Sequence, residues 1–157
     1  MAEIRAQRRL AAILAADVVG YSRLMEQDEV GTLATLKARR NEVLVPVVAQ
    51  HNGRIVKVMG DGVLVEFGSA VDAVQCAIEL QRGFSEANQG VPEAQSIVLR
   101  IGINLGDVIV ERSDIYGDGV NIAARLEGLA EPGSIYVSGT VHDHVSGKLM
   151  LAFDDLG

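Results

Sequence analysis

Two aspartates in this sequence stand where a carboxylate can do chemistry. Asp17 directly follows the apolar run Leu10–Ala16, a pattern that predicts a buried strand ending at a charge. Asp61 lies between two glycines in "KVMGDGVLVEF", at the tip of a predicted hairpin. Each also has a structural interpretation, Asp17 as a helix cap and Asp61 as a turn residue. Together, a strand end and an adjacent hairpin tip could hold two divalent metal ions.

A glycine-containing turn follows the first aspartate and leads into a predicted helix. Backbone N–H groups at the start of a helix bind phosphate, because they lack partners within the helix. The sequence therefore predicts a phosphate cradle formed by the backbone of Val18, Val19, Gly20, Tyr21 and Ser22. A carboxylate that holds Mg²⁺ beside such a cradle is typical of nucleoside triphosphate sites.

A polar pair and an isolated lysine are further candidates. Asn121 and Arg125 are four residues apart, so they share one face of a predicted helix. That pair also fits a solvent-facing stripe in which Arg125 contacts Glu127. Lys57 interrupts an apolar strand, which by itself is most simply explained as an edge or solvent-facing position. Asp118, between two glycines, is expected in a turn.

The predicted elements are, in order, one strand, two helices, a hairpin, a helix, two strands, a helix and a strand. The hairpin is expected at 54–59 and 63–67, and a helix capped by Ser69 runs to about Asn88. The two later strands are expected at 97–106 and 107–112. This order indicates an α+β fold with a ferredoxin-like, split βαβ sheet and helices mainly on one face. Residues 1–157 are expected to form a single domain.

Apolar spacing predicts which helix positions are buried. The apolar face of the helical segment after residue 30 is expected to consist of Leu33, Leu36, Val43 and Val47. Pro46 is expected to bend this segment. Cys76, in the helix that Ser69 caps, is expected to be a buried structural thiol, because a single cysteine cannot form an internal disulfide.

The charge balance limits the classes of partner. A net charge of −7 and a pI of about 4.9 argue against a nucleic-acid surface. A phosphorylated small molecule stays compatible with this charge, because divalent cations neutralise it locally. No apolar run reaches the roughly 18–20 residues of a membrane-spanning helix, and a cytoplasmic location is expected.

Four ordered motifs resemble the catalytic domain of class III nucleotidyl cyclases, the adenylate and guanylate cyclases, and most of all a bacterial adenylate cyclase. They are "LAADVVGYSRLM", "GRIVKVMGDGVLVEF", "RIGINLGDVI" and "DIYGDGVNIAARLE". The resemblance implies that Asp17 and Asp61, with the Val18 carbonyl, bind two Mg²⁺ or Mn²⁺ ions. It also implies a head-to-tail homodimer, in which one protomer supplies the metal ligands and the other supplies the base, ribose and α-phosphate contacts.

The resemblance implies roles for the other polar positions. Lys57 and Asp114 would bind the base. Asn121 would orient the ribose, and Arg125 would stabilise charge at the α-phosphate. Adenine offers an N6 donor and an N1 acceptor, which a carboxylate and an ammonium match, whereas guanine presents the reverse. Guanylate cyclases of this type carry glutamate at the lysine position, so the resemblance implies ATP as substrate and cyclic AMP and pyrophosphate as products.

The end of the sequence departs from the family pattern. The family usually supplies a further phosphate-binding lysine from a strand after a "DLG" segment, and this chain stops at "FDDLG". That lysine and the closing strands are therefore expected to be absent, and Lys148 lies too early to replace it. Two alternatives stay open, a guanylate cyclase and a catalytically impaired nucleotide-binding or dimerisation module. A diguanylate cyclase is disfavoured, because "MGDGV" is not a "GGDEF"-type hairpin.

Overall fold

The computed structural model describes residues 7–157, and residues 1–6 of the predicted domain lie outside the described residues. The strands are β1 (Gln7–Val18), β2 (Arg54–Met59), β3 (Gly62–Phe67), β4 (Leu99–Glu111), β5 (Asp114–Tyr116) and β6 (Ile135–Val137). The helices are α1 (Tyr21–Gln27), α2 (Glu29–Arg39), α3 (Val45–Gln50), α4 (Ala70–Ala87), α5 (Asp118–Leu129) and α6 (Gly139–Val145). A π-helical segment, Arg40–Leu44, joins α2 to α3.

The strands form one curled sheet in the order β2-β3-β1-β4-β5, with β6 beside the first part of β4. The β4–β6 pair is parallel, and the other pairs are antiparallel. The central strand β1 pairs with β4 along its whole length, from Gln7 opposite Val110 to Val18 opposite Leu99. Although β2 and β5 end the strand order, the curl brings side chains of these two edge strands into contact.

The middle of β1 is buried on both faces of the sheet, as its continuous apolar run predicts. Ala12 and Leu14 belong to the larger cluster, which α4 and α6 cover, whereas Ala11 and Ile13 face the smaller cluster that contains Ala123 of α5. Helices therefore lie mainly on one face, and α5 lies on the other. The α+β, ferredoxin-like fold class is confirmed.

Helix α4 follows its prediction closely. The Ser69 hydroxyl accepts a hydrogen bond from the Asp72 N–H, which caps the first turn. Cys76 is fully buried, and burial raises the pKa of its thiol to about 12. The expectation of a buried structural thiol is confirmed, because a thiol with such a pKa is not an effective nucleophile.

The prediction of separate strands at 97–106 and 107–112 is wrong, because β4 is continuous across both. The reason is that β4 pairs with β1 without interruption from Leu99 to Val110, so the ladder runs through Gly106. A Cβ there would lie 3.1 Å from the Asn104 Nδ2 and 3.8 Å from the Cα of Gly119 in α5. The tighter of these contacts is with the Asn104 amide, so a side chain at position 106 would crowd the group that donates to the Gly119 carbonyl.

The predicted inward position of Leu33 is also wrong, since this side chain is exposed. Asp28 caps α2, and the inward face of this helix carries Thr32 and Leu36, which are four residues apart. Thr32 faces inward instead, and its hydroxyl donates to the Leu24 carbonyl at 2.9 Å. The other predicted positions, Leu36, Val43 and Val47, do pack against the core.

The irregular part of this helical region lies directly before Pro46, where the π-helical segment ends. Proline supplies no backbone N–H to the preceding turn, which agrees with a disturbed hydrogen-bond pattern there. Among residues 7–157, no helix is both long enough and apolar enough to cross a membrane.

Candidate active site

The backbone of three neighbouring strands places Asp17 and Asp61 side by side. Asp17 lies near the end of β1, opposite Gly62 of β3. The Val18 N–H donates to the Asp61 carbonyl at 3.0 Å, so the hairpin tip is hydrogen-bonded to the end of β1. Gly60 has a φ of +52°, which a glycine adopts without strain in a two-residue hairpin turn. The predicted hairpin is confirmed, and its turn consists of Gly60 and Asp61.

Arg100 of β4 contacts the first aspartate with both ends of its guanidinium fork. Its Nε donates to Asp17 Oδ1 at 3.1 Å, and its Nη2 donates to Asp17 Oδ2 at 3.0 Å. The Asp17 carboxylate is therefore not the helix cap that its sequence position also allowed, because α1 begins after Gly20 without a side-chain cap. Sequence reasoning missed Arg100, although an arginine inside the apolar stretch "LRIGIN" is a signal for it.

A third carboxylate, Glu127 near the end of α5, completes what we call the acidic end, defined by Asp17, Asp61, Glu127 and Arg100. Burial raises the pKa of Glu127 to about 7, and the neighbouring Asp17 and Asp61 carboxylates contribute to the increase. Arg100 opposes this increase by its positive charge. Negative charge therefore exceeds positive charge in this cluster.

The predicted phosphate cradle is smaller than the sequence suggested. The N–H of Val18 is used by Asp61, and the N–H of Val19 donates to the Val98 carbonyl at 2.8 Å. Gly20 is left-handed, with a φ of +67°, and directly precedes α1. The backbone N–H groups of Gly20, Tyr21 and Ser22 at the beginning of α1 are the part of the predicted cradle that still suits an anion.

Lys57 and Asp114 meet across the two edge strands, with the Lys57 Nζ 3.2 Å from Asp114 Oδ1. Asp114 also accepts a hydrogen bond from the Ile115 N–H at 2.8 Å. That hydrogen bond and the Lys57 ammonium lower the pKa of the Asp114 carboxyl. The Lys57 Nζ lies 5.9 Å from the ring centre of Tyr116, a neighbour that sequence reasoning missed. We call Lys57, Asp114 and Tyr116 the base-binding edge, after the role that the resemblance implies for Lys57 and Asp114.

A β-bulge gives Lys57 its direction. Regular alternation from Arg54 would place Lys57 on the opposite face of β2. The register shifts between Ile55 and Lys57, so that Lys57 pairs with Leu64 while Arg54 pairs with Glu66. Both side chains therefore lie on the face of α5, and one extra residue redirects the lysine away from the main core.

Close packing of α5 on β4 positions Asn121 and Arg125. A Cβ on Gly102 would overlap the backbone of Ala123 and Glu127, so only glycine permits this approach. The Asn104 amide donates to the Gly119 carbonyl at 3.1 Å, which fixes the first turn of the helix. That turn begins with Asp118, so the expectation that Asp118 lies in a turn is wrong.

Asn121 and Arg125 project from the exposed side of α5. Among the described residues, neither side chain forms a hydrogen bond or ion pair, so the alternative Arg125–Glu127 contact is not seen. The structure thus brings together Asp17 with Asp61, and Lys57 with Asp114. It leaves the Asn121–Arg125 pair facing outward.

The acidic end suits a hard divalent cation. Its donors are carboxylate oxygens, and the pKa of Glu127 is raised mainly by burial and further by the neighbouring Asp17 carboxylate, whose repulsion a cation would relieve. Within residues 7–157, no three acidic, His or Cys side chains are arranged to hold an ion by themselves. Two aspartates would then share the ion with backbone and substrate oxygens, which is the usual arrangement for Mg²⁺ with phosphates.

The cavity in contact with Asp61 is small. Its volume is about 50 Å³, well below the several hundred Å³ of a site for a drug-sized ligand.

Comparison with known proteins places this arrangement in a family. The sequence model for the adenylate and guanylate cyclase catalytic domain matches residues 5–156. The chain is 57% identical, over its whole length, to putative adenylate cyclase 3 of Rhizobium meliloti, and 35% identical over 83% of its length to an adenylate cyclase of Streptomyces coelicolor. The chain therefore belongs to the adenylate and guanylate cyclase catalytic-domain family, and the resemblance to class III cyclases is confirmed.

Solved structures agree with this assignment. An adenylate/guanylate cyclase/hydrolase from Silicibacter pomeroyi superposes with a TM-score of 0.91, at 48% identity, over 98% of this chain and 89% of that chain. The adenylyl cyclase CyaB from P. aeruginosa gives a TM-score of 0.81, at 27% identity, over 93% of this chain and 85% of that chain. The chain spans only 27% of the Rhizobium relative and 32% of the Streptomyces relative.

Proposed function

We propose that this domain is an adenylate cyclase, which converts ATP into 3′,5′-cyclic AMP and pyrophosphate at the interface of a homodimer. The observation that carries the choice of ATP is the Lys57–Asp114 pair, whose charged atoms lie 3.2 Å apart at the base-binding edge. Family membership and relatives named adenylate cyclase support the reaction class.

The polarity of the pair favours adenine over guanine. The Asp114 carboxylate would accept from the N6 amino group, and the Lys57 ammonium would donate to the N1 nitrogen. Guanine would place its O6 acceptor against the carboxylate and its N1–H donor against the ammonium. Each mismatch costs about 1–3 kcal/mol, so two of them discriminate by about 30-fold to 10⁴-fold.

The acidic end would bind the triphosphate with its metal ions. When bound, two Mg²⁺ or Mn²⁺ ions would supply Lewis-acid activation of the ribose 3′-hydroxyl and neutralise the phosphates. Asp17, Asp61 and the Val18 carbonyl would hold these ions. The free N–H groups before and within the first turn of α1 would bind phosphate oxygens beside them.

Asn121 and Arg125 would act on the substrate held by a partner subunit. Both are exposed on α5, and within one described chain they contact neither the acidic end nor the base-binding edge. In a head-to-tail dimer, Asn121 would orient the ribose and Arg125 would stabilise the charge that develops at the α-phosphate. A symmetric dimer would contain two such sites.

The test is the Mn²⁺-dependent conversion of ATP and of GTP by the full chain. We expect cyclic AMP as the main product, loss of activity in Asp61→Ala, and a large loss of ATP preference in Lys57→Glu. Lys37→Glu, which changes an exposed lysine of α2 in the same way, is the matched control. Cyclic GMP as the main product would overturn the base assignment. Absence of both products with retained nucleotide binding would favour an impaired binding module.

A further inference from the structure

The two strands that form the base-binding edge are not joined by their backbones. β2 and β5 lie at opposite ends of the strand order, and none of the pairings within residues 7–157 links them. The separation between Lys57 and Asp114 therefore depends on the curl of the sheet and on side chains that span the two edges. A contact that fixes this separation would control how well the pair fits a base.

Arg54 makes such a contact. Its Nε and Nη2 donate to Glu66 Oε1 at 3.2 and 2.9 Å, and its Nη1 donates to the Ser113 carbonyl at 3.0 Å. Ser113 directly precedes Asp114, and Arg54 lies on the same strand as Lys57. One guanidinium thus connects the strand that carries the lysine to the residue before the aspartate.

The anchor of this connection is a buried carboxylate that two arginines bind. Glu66 lies in β3, next to the central strand, and its side chain is only 8% exposed. Arg9 donates to the same carboxylate from the opposite side, with its Nε 2.9 Å from Oε2 and its Nη2 2.7 Å from Oε1. Arg9 forms no hydrogen bond to Ser113 among the described residues, so the two arginines share an anchor but only one reaches the edge strand.

We propose that Arg54 is a positioning residue for base selection, which holds Asp114 in register with Lys57. This inference rests on the proposed function, in which the Lys57–Asp114 pair recognises adenine. The planar guanidinium can bond to Glu66 and to the Ser113 carbonyl at the same time, because its donors point in fixed, divergent directions. A lysine at position 54 would keep the positive charge opposite Glu66 but lose this fixed geometry.

The experiment measures calorimetric binding of ATP and GTP in their 3′-deoxy forms, which lack the reacting hydroxyl and are not cyclised, to the full chain with Mn²⁺, in the wild type, Arg54→Lys and Arg9→Lys. For Arg54→Lys we expect the ratio of ATP to GTP affinity to fall about tenfold, the size of one lost charge-assisted hydrogen bond. For Arg9→Lys we expect the wild-type ratio, since this control weakens the same anchor without touching Ser113. Mn²⁺ affinity should be unchanged in both variants, because the acidic end is elsewhere.

Three outcomes distinguish failure of this inference from failure of the proposed function on which it rests. Loss of preference in Arg54→Lys alone supports the inference. If the wild type prefers ATP and the two variants have the same ratio of ATP to GTP affinity, the inference is overturned and the proposed function stands. A wild type without ATP preference overturns the proposed function and the inference together. Thermal unfolding checks that each variant folds, and Arg54→Gln, which reaches one partner at a time, replaces Arg54→Lys if that variant does not.

Discussion

A half-buried glutamate, Glu127, and a buried one, Glu66, show that the acidic end and the base-binding edge differ in their charge balance. Glu127 lies at the acidic end, where Asp17 and Asp61 add negative charge and Arg100 is the neighbouring cation. Glu66 lies beneath the base-binding edge, between Arg9 and Arg54. Burial acts against ionisation of both carboxyls, yet the pKa of Glu127 is raised to about 7 and the pKa of Glu66 is lowered.

The two regions differ in where the charge that balances their carboxylates comes from. Around Glu66, the two arginines supply the compensating charge within the chain itself. At the acidic end, the chain supplies more carboxylates than cations, which is an arrangement suited to a divalent ion from solution. Under the proposed function, specificity for the base would depend on side-chain geometry within the fold, whereas the chemistry would depend on the ion that the acidic end binds.

The largest expected effect tests the acidic end. Asp17→Asn keeps the shape of the side chain but removes the charge that would hold a metal ion. We expect Mn²⁺-dependent cyclic AMP formation to fall about 10³-fold, since metal activation contributes several kcal/mol to such reactions. Asp143→Asn, an exposed aspartate of α6, is the control. Wild-type activity in Asp17→Asn would remove this residue from the proposed metal site.

Arg125→Ala tests whether the acidic end is completed by a second subunit. Loss of a donor to the transition state costs about 10²–10³ in turnover. Because Arg125 and Asp17 would serve a site from different protomers, an equimolar mixture of the two inactive variants should recover activity. Statistical pairing gives one intact site in half of the dimers, so we expect about a quarter of wild-type activity.

Recovery is measured as cyclic AMP formation before and after mixing. A mixture that stays inactive while heterodimers form would contradict the head-to-tail arrangement. Arg82→Ala, which removes an exposed arginine from α4, should leave turnover near the wild-type value.

Glu66→Gln tests the charge balance beneath the base-binding edge. The amide would leave Arg9 and Arg54 without their carboxylate, so we expect the free energy of unfolding at pH 7 to fall by about 1–3 kcal/mol. The folded-state pKa of Glu66 is lowered from 4.5. The ionised carboxylate therefore stabilises the folded protein above pH 4.5, and this stabilisation is lost as the pH falls through the lowered pKa. Urea unfolding from pH 3 to 7 should therefore show the wild-type advantage shrinking toward acid.

Glu127→Gln should have a smaller effect of opposite sign. The folded-state pKa of Glu127 is raised from 4.5 to about 7, so the folded protein binds its proton more tightly than the unfolded chain. Wild-type stability should fall as the pH rises through this window, and the amide should remove that fall. In metal-free protein we expect a gain on the order of 1 kcal/mol at pH 8, measured by urea unfolding. An unchanged pH dependence in the variant would contradict this account of Glu127.

Local patterns predicted the parts of this fold that are governed by short-range rules. The strand before Asp17, the hairpin with Asp61 at its tip, and the Ser69 cap follow from apolar runs, turn residues and capping chemistry. Local rules failed where packing outweighs them. Strand β4 continues through Gly106 because it pairs with β1 along this whole stretch, and Thr32 occupies the inward position that was predicted for Leu33.

The sequence by itself also identified candidate residues for metal, base and phosphate, because their types and order are those of the cyclase family. It did not show how Lys57 reaches Asp114, that Arg100 binds Asp17, or that Arg54 binds the carbonyl of Ser113, next to Asp114. Those relations depend on a bulge that turns Lys57 to the other face of β2, and on a curl that brings two edge strands together. Neither is local, because each results from the pairing and twist of a sheet whose strands are far apart in the chain.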